Sequence, residues 1–262
     1  MIDIHTHILP KVDDGAQNID DSLKMLRQAQ DDGIEAVVLT PHILNHSDFN
    51  NESEYLARYK TLVKAAEEAN IQVDIMLGSE IYVQPELLLD KKMATLNNNG
   101  KYFLIEFPMG SIPGFIAERF FTIILDGMIP IIAHPERNLG FLQRPALAYE
   151  FVARGALMQI NSGSLLGRFG PKVKSLAFDL IEHNLVHFVA SDCHDTLKRR
   201  CRLKKAYETV AEKWGLSLAD DLFINNAKKA LIGKQLTLPE PMPITRKPES
   251  LLGKLRSMLS SA

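Results

Sequence analysis

The chain has 262 residues, 46% of them hydrophobic and 24% charged, with a formal net charge of −2; this is a globular composition, long enough for one large core, and it excludes disordered and fibrous classes. So small a net charge argues against broad electrostatic binding to nucleic acid or to a membrane surface. Two cysteines (Cys193 and Cys201) cannot make a disulfide framework, no apolar run approaches the roughly 20 residues that span a bilayer, and the first residues lack signal-peptide character, so a cytoplasmic location is expected.

A single pattern recurs along the chain: an amphipathic helix, then Gly or Asn, then a short apolar strand that ends in polar residues. Residues 2–6 read as the first strand, with His5 and His7 at its C-terminal end. Asp32-Gly33 precedes a second strand over 34–40, followed by His42 in Thr40-Pro41-His42. Asn70 precedes a third over 71–77, followed by Glu80 in Gly78-Ser79-Glu80. The fourth, over 102–107, carries Glu106 near its end. Asp126-Gly127 precedes the fifth, over 128–133, which His134 ends. Arg154-Gly155 precedes a sixth over 156–160, and Asn184 a seventh over 185–190, followed by Asp192 and His194. Gly and Asn tolerate the left-handed backbone that closes a helix. The intervening segments are helical by period: Val173, Leu176, Ala177, Leu180 and Ile181 form one apolar stripe.

Strand-helix alternation implies a parallel sheet, and near-continuous apolar strands imply that both faces are covered. Seven repeats favour a closed barrel over a doubly wound open sheet. The expected class is therefore α/β, a distorted (β/α)7 TIM-like barrel with its active site at the C-terminal rim of the strands. Residues 1–235 are expected to form this single domain, and 236–262 a Pro-rich, basic C-terminal extension. Residues 251–259 read as a marginal terminal helix or a tail.

The polar residues that end the strands carry the chemistry. Imidazoles and carboxylates gather at one rim, where barrels of this kind build active sites. Side chains at i and i+2 point the same way, so His5 with His7, and Asp192 with His194, can each converge on one ion. A lone strand histidine is usually a satisfied core or surface residue; histidines at four separate strand ends on one rim are poorly explained that way. Such a donor set suits zinc, manganese or iron, and no thiolate cluster points to a structural zinc site.

His5-Thr6-His7-Ile8-Leu9-Pro10, followed by Val12-Asp13-Asp14-Gly15-Ala16, resembles the opening of the polymerase and histidinol phosphatase (PHP) superfamily. Within it, the chain resembles the bacterial tyrosine-protein phosphatases of the CpsB/CapC type. Further matches, in family order, are Thr40-Pro41-His42, Gly78-Ser79-Glu80, Ile105-Glu106-Phe107-Pro108, His134-Pro135-Glu136-Arg137-Asn138, Asn161-Ser162-Gly163-Ser164 and Ser191-Asp192-Cys193-His194. The resemblance implies about three divalent ions, most commonly manganese, with iron and zinc as the other candidates. It implies that His5, His7, Glu80 and Asp192 hold the first. Glu80 would bridge to a second, held also by Glu106 and His134. Asp14, His42 and His194 would hold the third, with Asp13 as the rival of Asp14. Four carboxylates against three divalent cations leave a charge near +2, which a phosphate monoester dianion neutralises.

Arg137 and Arg199 are the candidate phosphate ligands, because a guanidinium matches phosphate bidentately; Arg200 is the rival of Arg199. The resemblance implies a phosphotyrosine protein as substrate, the tail of a bacterial tyrosine kinase that controls polysaccharide export. It is compatible with an oligomer. Four other readings compete. Cys193 and Arg199 have the spacing of cysteine-dependent phosphatases, but no glycine lies between them to form an anion-binding loop. A small phosphate such as histidinol phosphate would use the same metals. An amidohydrolase would want a bridging lysine, and none ends a strand. A metal-stabilised interaction domain without activity would be expected to have lost ligands. Tyr82, His46, Phe49 and Phe115 lie in segments near the rim and read as ordinary loop or helix residues before groove residues. His183 and His187 read as structural.

Overall fold

The structure is a computed structural model that describes residues 1–245; the expected helix or tail over 251–259 lies outside the described residues. Among the described residues, nine parallel strands form two sheets: β1 (Ile2–Thr6), β2 (Ala36–Leu39) and β4 (Asp74–Leu77) in the order β1-β2-β4, and β3 (His42–Ile43), β5 (Glu80–Tyr82), β6 (Tyr102–Glu106), β7 (Ile129–Ala133), β8 (Leu157–Asn161) and β9 (Phe188–Ala190) in the order β3-β5-β6-β7-β8-β9.

The expected seven strands become nine because two of them break. Pro41 separates β2 from β3, where it has no N–H to give to a ladder. Gly78-Ser79 separates β4 from β5, and a Cβ at Gly78 would meet the Leu96 backbone and Val38 at 3.3 Å. Backbone bonds bridge both breaks, from Gly78 N to Leu39 O (2.8 Å) and from Glu80 N to Pro41 O (3.1 Å). As a result His42 and Glu80 open short strands rather than following long ones. A continuously hydrogen-bonded, closed seven-stranded barrel is therefore not what the chain forms. Among the described residues no ladder joins β4 to β6, and the buried turn at Leu96 fills the gap. Between β1 and β9 the link is short: Asp192 N donates to His5 O (3.0 Å) and His7 N to Cys193 O (2.9 Å).

The two sheets nonetheless enclose one interior. Ile2 and Ile4 of β1, Ala36 and Val38 of β2, Leu104 of β6 and Ile131 of β7 share a buried cluster with Leu157 and Phe188. Alternation puts these residues on one strand face and their neighbours on the other. Those neighbours, such as Val37, Phe103, Ile132 and Val189, belong to the larger core under the helices. Ala227, Ala230 and Leu231, in and beside the helix Asn226–Ala230, complete the inner cluster.

Helix boundaries follow local chemistry. The helix Ile19–Asp31 is capped by Asn18, whose side chain accepts from Asp21 N. Asn70 and Asn184, at φ near +55°, take the left-handed turn between helix and strand, as Gly33, Gly127 and Gly155 do. The helix Pro171–Glu182 buries Val173, Leu176, Ala177, Leu180 and Ile181, the stripe expected from spacing. Residues 236–245 have no regular structure but are tied down: Met242 N donates to His183 O (2.8 Å), and Leu236 and Leu238 pack on the inner cluster.

Candidate metal centre and phosphate pocket

The rim where the strands end or break gathers all nine candidate ligands. The two strand breaks serve this: with β3 paired to β5, His42 sits in register with Glu80. His5 Nε2 and His7 Nε2 lie 3.1 and 3.3 Å from Glu80 Oε2, and 3.7 and 3.6 Å from Asp192 Oδ1. On the other side of Glu80, His134 Nε2 is 3.1 Å from Oε1 and 3.7 Å from Glu106 Oε1. His194 Nε2 is 3.2 Å from Asp14 Oδ1, and His42 Nδ1 is 3.5 Å from the same atom. Three overlapping donor groups result, each with donor atoms within 4.8 Å of one another: His5, His7 and Glu80; His42, Glu80 and Glu106; and His7, Asp14, His42 and His194. The groups depart from the expected partition in three ways: Asp192 and His134 fall outside them, His7 also joins Asp14, and His42 presents Nε2 to Glu80 at 3.1 Å, so its ring stands between two groups.

Two of these residues hold costly backbone conformations. His134 has φ +34° and Asp192 φ +53°, left-handed values that non-glycine residues avoid. Such strain persists only where surrounding structure over-determines it, and it clusters at functional sites. At His134 the turn starts the short helix Pro135–Arg137, which returns Arg137 toward the cluster.

Buried hydrogen bonds aim the imidazoles. His7 donates from Nδ1 to Asp13 Oδ2 (2.7 Å), which leaves Nε2 facing Glu80. Asp13 Oδ2 also accepts from His42 N (3.1 Å), and Asp13 Oδ1 from Gly15 N (3.0 Å). Asp13 is thus spent on orientation, whereas Asp14, 66% exposed in its side chain, reaches His42 and His194. A second relay runs through β8. Asp192 Oδ2 can only accept, so Asn161 presents Nδ2 to it (2.7 Å). Asn161 Oδ1 then accepts from Gln159 Nε2 (3.0 Å), and Gln159 Oε1 is left to accept from His5 Nδ1 (2.8 Å). Carboxylate and amide partners of this sort fix the tautomer and orientation of ligating histidines.

The electrostatics require positive charge. Burial opposes protonation of His5, but Glu80 and Asp192 outweigh it and lift its pKa to about 9. Burial likewise opposes His42, and hydrogen bonds to Asp13 and Glu80 lift it to about 11. Glu80, fully buried, is nevertheless held below the carboxylate range by these histidines. Burial and the charge of Glu80 raise Glu106. Four carboxylates this close repel unless cations or ring protons balance them.

The arginines close one side. Arg137 donates to Asp192 Oδ2 (2.8 Å) and Arg199 Nη2 lies 2.5 Å from Asp192 Oδ1. Arg137 also stacks on Phe169, 4.4 Å from its ring centre. Arg200 instead donates to Leu197 O (2.9 Å) and makes no ion pair among the described residues. A cavity of about 420 Å³ opens beside His42 and Glu106, walled by Val12, Leu44, Tyr55 and Tyr82. Tyr82 is thus a groove residue. Phe49 is buried in the core, His46 bonds Glu86 O, and Phe115 precedes the helix Ile116–Leu125. His187 is buried and accepts from Met158 N. Cys193 is wholly buried beside Cys201, so its sulfur cannot reach a phosphate at the rim.

Three residues escape a reading by strand ends. Gln159 was visible only as a polar residue two before Asn161 in an apolar strand. Glu136 is fully buried and accepts from Asn161 N and Ser164 Oγ, which anchors the turn after β8. Arg168, in Gly167-Arg168-Phe169, carried no signal at all.

Residues 1–232 match the family described as capsular polysaccharide synthesis, CpsB/CapC. The tyrosine-protein phosphatase YwqE of Bacillus subtilis is 37% identical over 249 residues, 94% of this chain and 98% of that protein. The putative tyrosine-protein phosphatase CapC of Staphylococcus aureus is 37% identical over 79% of this chain and 82% of its own. A crystal structure from work on YwqE of B. subtilis and CpsB of Streptococcus pneumoniae, described as metal-dependent tyrosine phosphatases, superposes with a TM-score of 0.88. It shares 38% identity and covers 94% of this chain and 100% of that one. A dihydropyrimidinase from Brevibacillus agri superposes at TM-score 0.52 with 11% identity, a likeness of fold alone.

Proposed function

The chain belongs to the CpsB/CapC family, and from that premise we propose that it is a metal-dependent protein-tyrosine phosphatase. The observation that carries the reading is the convergence of nine imidazole and carboxylate side chains, seven of which make up three overlapping donor groups while His134 and Asp192 lie within 3.7 Å of members of those groups. The donor set fits divalent cations: Glu80 and Asp192 are buried carboxylates whose histidine neighbours already present Nε2 inward. His5, His7, Glu80 and Asp192 would hold one ion, Glu80, Glu106 and His134 a second, and Asp14, His42 and His194 a third. Nitrogen and oxygen donors without thiolate suit manganese, with iron and zinc as alternatives. When bound, the cations supply Lewis acidity, which polarises the phosphoryl group and acidifies water.

The chain's own groups do the rest. Arg137 and Arg199 each direct one guanidinium nitrogen at Asp192 and keep further N–H donors for phosphoryl oxygens. Their fixed forks favour the charge that builds on those oxygens in the transition state. Tyr55, Tyr82, Leu44 and Val12 offer walls for an aromatic ring beside the cluster. Water adds to phosphorus and the bond to the phenolic oxygen breaks. The tyrosine leaves as phenolate, which needs no dedicated acid because its conjugate phenol has a pKa of about 10, and the proton given up by water passes to solvent.

We read the two sheets as one interrupted, distorted seven-stranded barrel, supported by the inner cluster they share. Residues 1–235 would be its single domain and 236–262 an extension. The substrate would be a phosphotyrosine protein, the tail of a tyrosine kinase of capsule synthesis, met in the cytoplasm. The test is turnover by the metal-loaded full chain of a phosphotyrosine peptide, a phosphoserine peptide and histidinol phosphate, alongside Cys193→Ser. Preference for phosphotyrosine with Cys193→Ser fully active supports the reading. Preference for histidinol phosphate, or loss of turnover in Cys193→Ser, refutes it.

A further inference from the structure

A second cavity, of about 320 Å³, shares none of its lining residues with the tyrosine-walled one. Every charged residue that lines it is a cation: Arg168, Lys198, Arg199, Arg200 and Arg202. Arg199 belongs to both places, since its guanidinium touches Asp192 while it walls the groove. Of the other four, none forms an ion pair among the described residues. Besides Asp192, the acid whose charge acts on Arg168 is Asp195. Its carboxylate is spent on the backbone N–H groups of Leu197, Lys198 and Arg199.

Like charges gathered this way repel, and the neighbours say so. Burial lowers the pKa of Arg168, and the nearby charges of Arg199 and Arg137 lower it further. Arg168 is held there by packing. A Cβ on Gly163 would meet its Cδ at 3.1 Å and Phe169 at 3.3 Å, so the absence of a side chain at Gly163 lets both lie on the groove floor. Five cations that outnumber their acidic neighbours, Asp192 and Asp195, are complementary to an anion, above all a phosphate or carboxylate.

We propose that this groove is a second anion subsite, which takes a carboxylate or phosphate side chain of the same polypeptide that presents its phosphotyrosine to the cluster. The proposal rests on the phosphatase reading and sharpens it: the substrate is an anionic segment, and the second charge lies close in sequence to the phosphotyrosine.

The test compares three phosphotyrosine peptides of equal length: one with neutral flanks, one with glutamates around the phosphotyrosine, and one with a second phosphotyrosine. Each is assayed by kcat/KM with the metal-loaded wild type and with Arg168→Ala/Arg202→Ala, and para-nitrophenyl phosphate normalises each protein. The wild type is expected to favour a charged peptide over the neutral one by about fivefold, the worth of one exposed ion pair. The double variant is expected to bring that ratio close to one. Which charged peptide gains more identifies carboxylate or phosphate as the preferred group. Equal ratios in the two proteins, or no preference in the wild type, overturn the subsite while leaving the phosphatase reading intact. Binding of the labelled, doubly phosphorylated peptide, followed by fluorescence anisotropy with chelator present, reads the groove without turnover. Weaker binding by the double variant supports the subsite even if no aryl phosphate is hydrolysed; equal binding overturns it. Arg168→Gln alone serves if the double variant folds poorly.

Discussion

Asp13→Asn isolates the orienting role of Asp13, which stands next to the candidate ligand Asp14. The carboxylate accepts three hydrogen bonds, from His7 Nδ1 at 2.7 Å, His42 N at 3.1 Å and Gly15 N at 3.0 Å. Asparagine has the same shape but one acceptor oxygen. With that oxygen at the Oδ2 position, His7 and His42 keep their partner and the new NH2 faces the Gly15 N–H. With the amide turned, Gly15 is satisfied and the other two donors are lost. The surviving bonds also lose charge assistance, which about halves their strength. One lost bond and weakened neighbours come to about 2 kcal/mol, or roughly thirtyfold in metal affinity, within the range seen for partners of ligating histidines. The assay is calorimetric titration of manganese into the chelator-stripped full chain, with circular dichroism as a check on folding. Asp14→Asn should instead weaken one ion while leaving the others in place, because the contacts of Asp14 run to His42 and His194. A change below about threefold for a folded Asp13→Asn protein would refute the orienting role.

Arg137→Ala and Arg199→Ala should each lower kcat on phosphotyrosine peptide by about a hundredfold, as for loss of one oxyanion donor; unchanged kcat in either would remove that arginine from the phosphate site. Manganese binding should release protons at neutral pH, because His5 and His42 have pKa values near 9 and 11 without metal. Titration in buffers of different ionisation enthalpy measures the protons released, and a value of zero would contradict the electrostatics. His187 makes the opposite case, since burial lowers its folded pKa to about 3. The unfolded chain binds that proton below about pH 6.5, so stability is complete above 6.5 and falls as pH drops toward 3. Between pH 7 and pH 5 the wild type should lose about 2 kcal/mol more than His187→Gln, read from urea midpoints; parallel losses would show that His187 is not responsible.

Much of the site was legible because its donors lie where the apolar period stops. His5 with His7, and His134, could be placed at strand ends from the run of Ile and Val before them. What a linear pattern could not carry was the direction of a side chain at a break. Pro41 and Gly78 interrupt strands that look continuous, and the resulting short pair β3-β5 is what sets His42 against Glu80. Asp13 and Asp14 were inseparable by sequence because both are short acids in one loop; contacts to His7 and Gly15 separate them. Gln159 depends on His5, 154 positions away, and Arg168 on Arg199 and Arg137, so neither relation had a local signature. The expectation of a closed ladder failed where a turn at Leu96 replaces strand pairing, an exchange that preserves apolar burial and so leaves the hydrophobic pattern unchanged.

The most direct test of the central claim is a manganese titration of the chelator-stripped full chain that follows hydrolysis of a phosphotyrosine peptide and bound metal together. The account predicts no turnover without metal, and turnover that rises with occupancy and saturates at about three ions per chain. Full turnover in the stripped protein, or saturation with metal without any turnover, would contradict it.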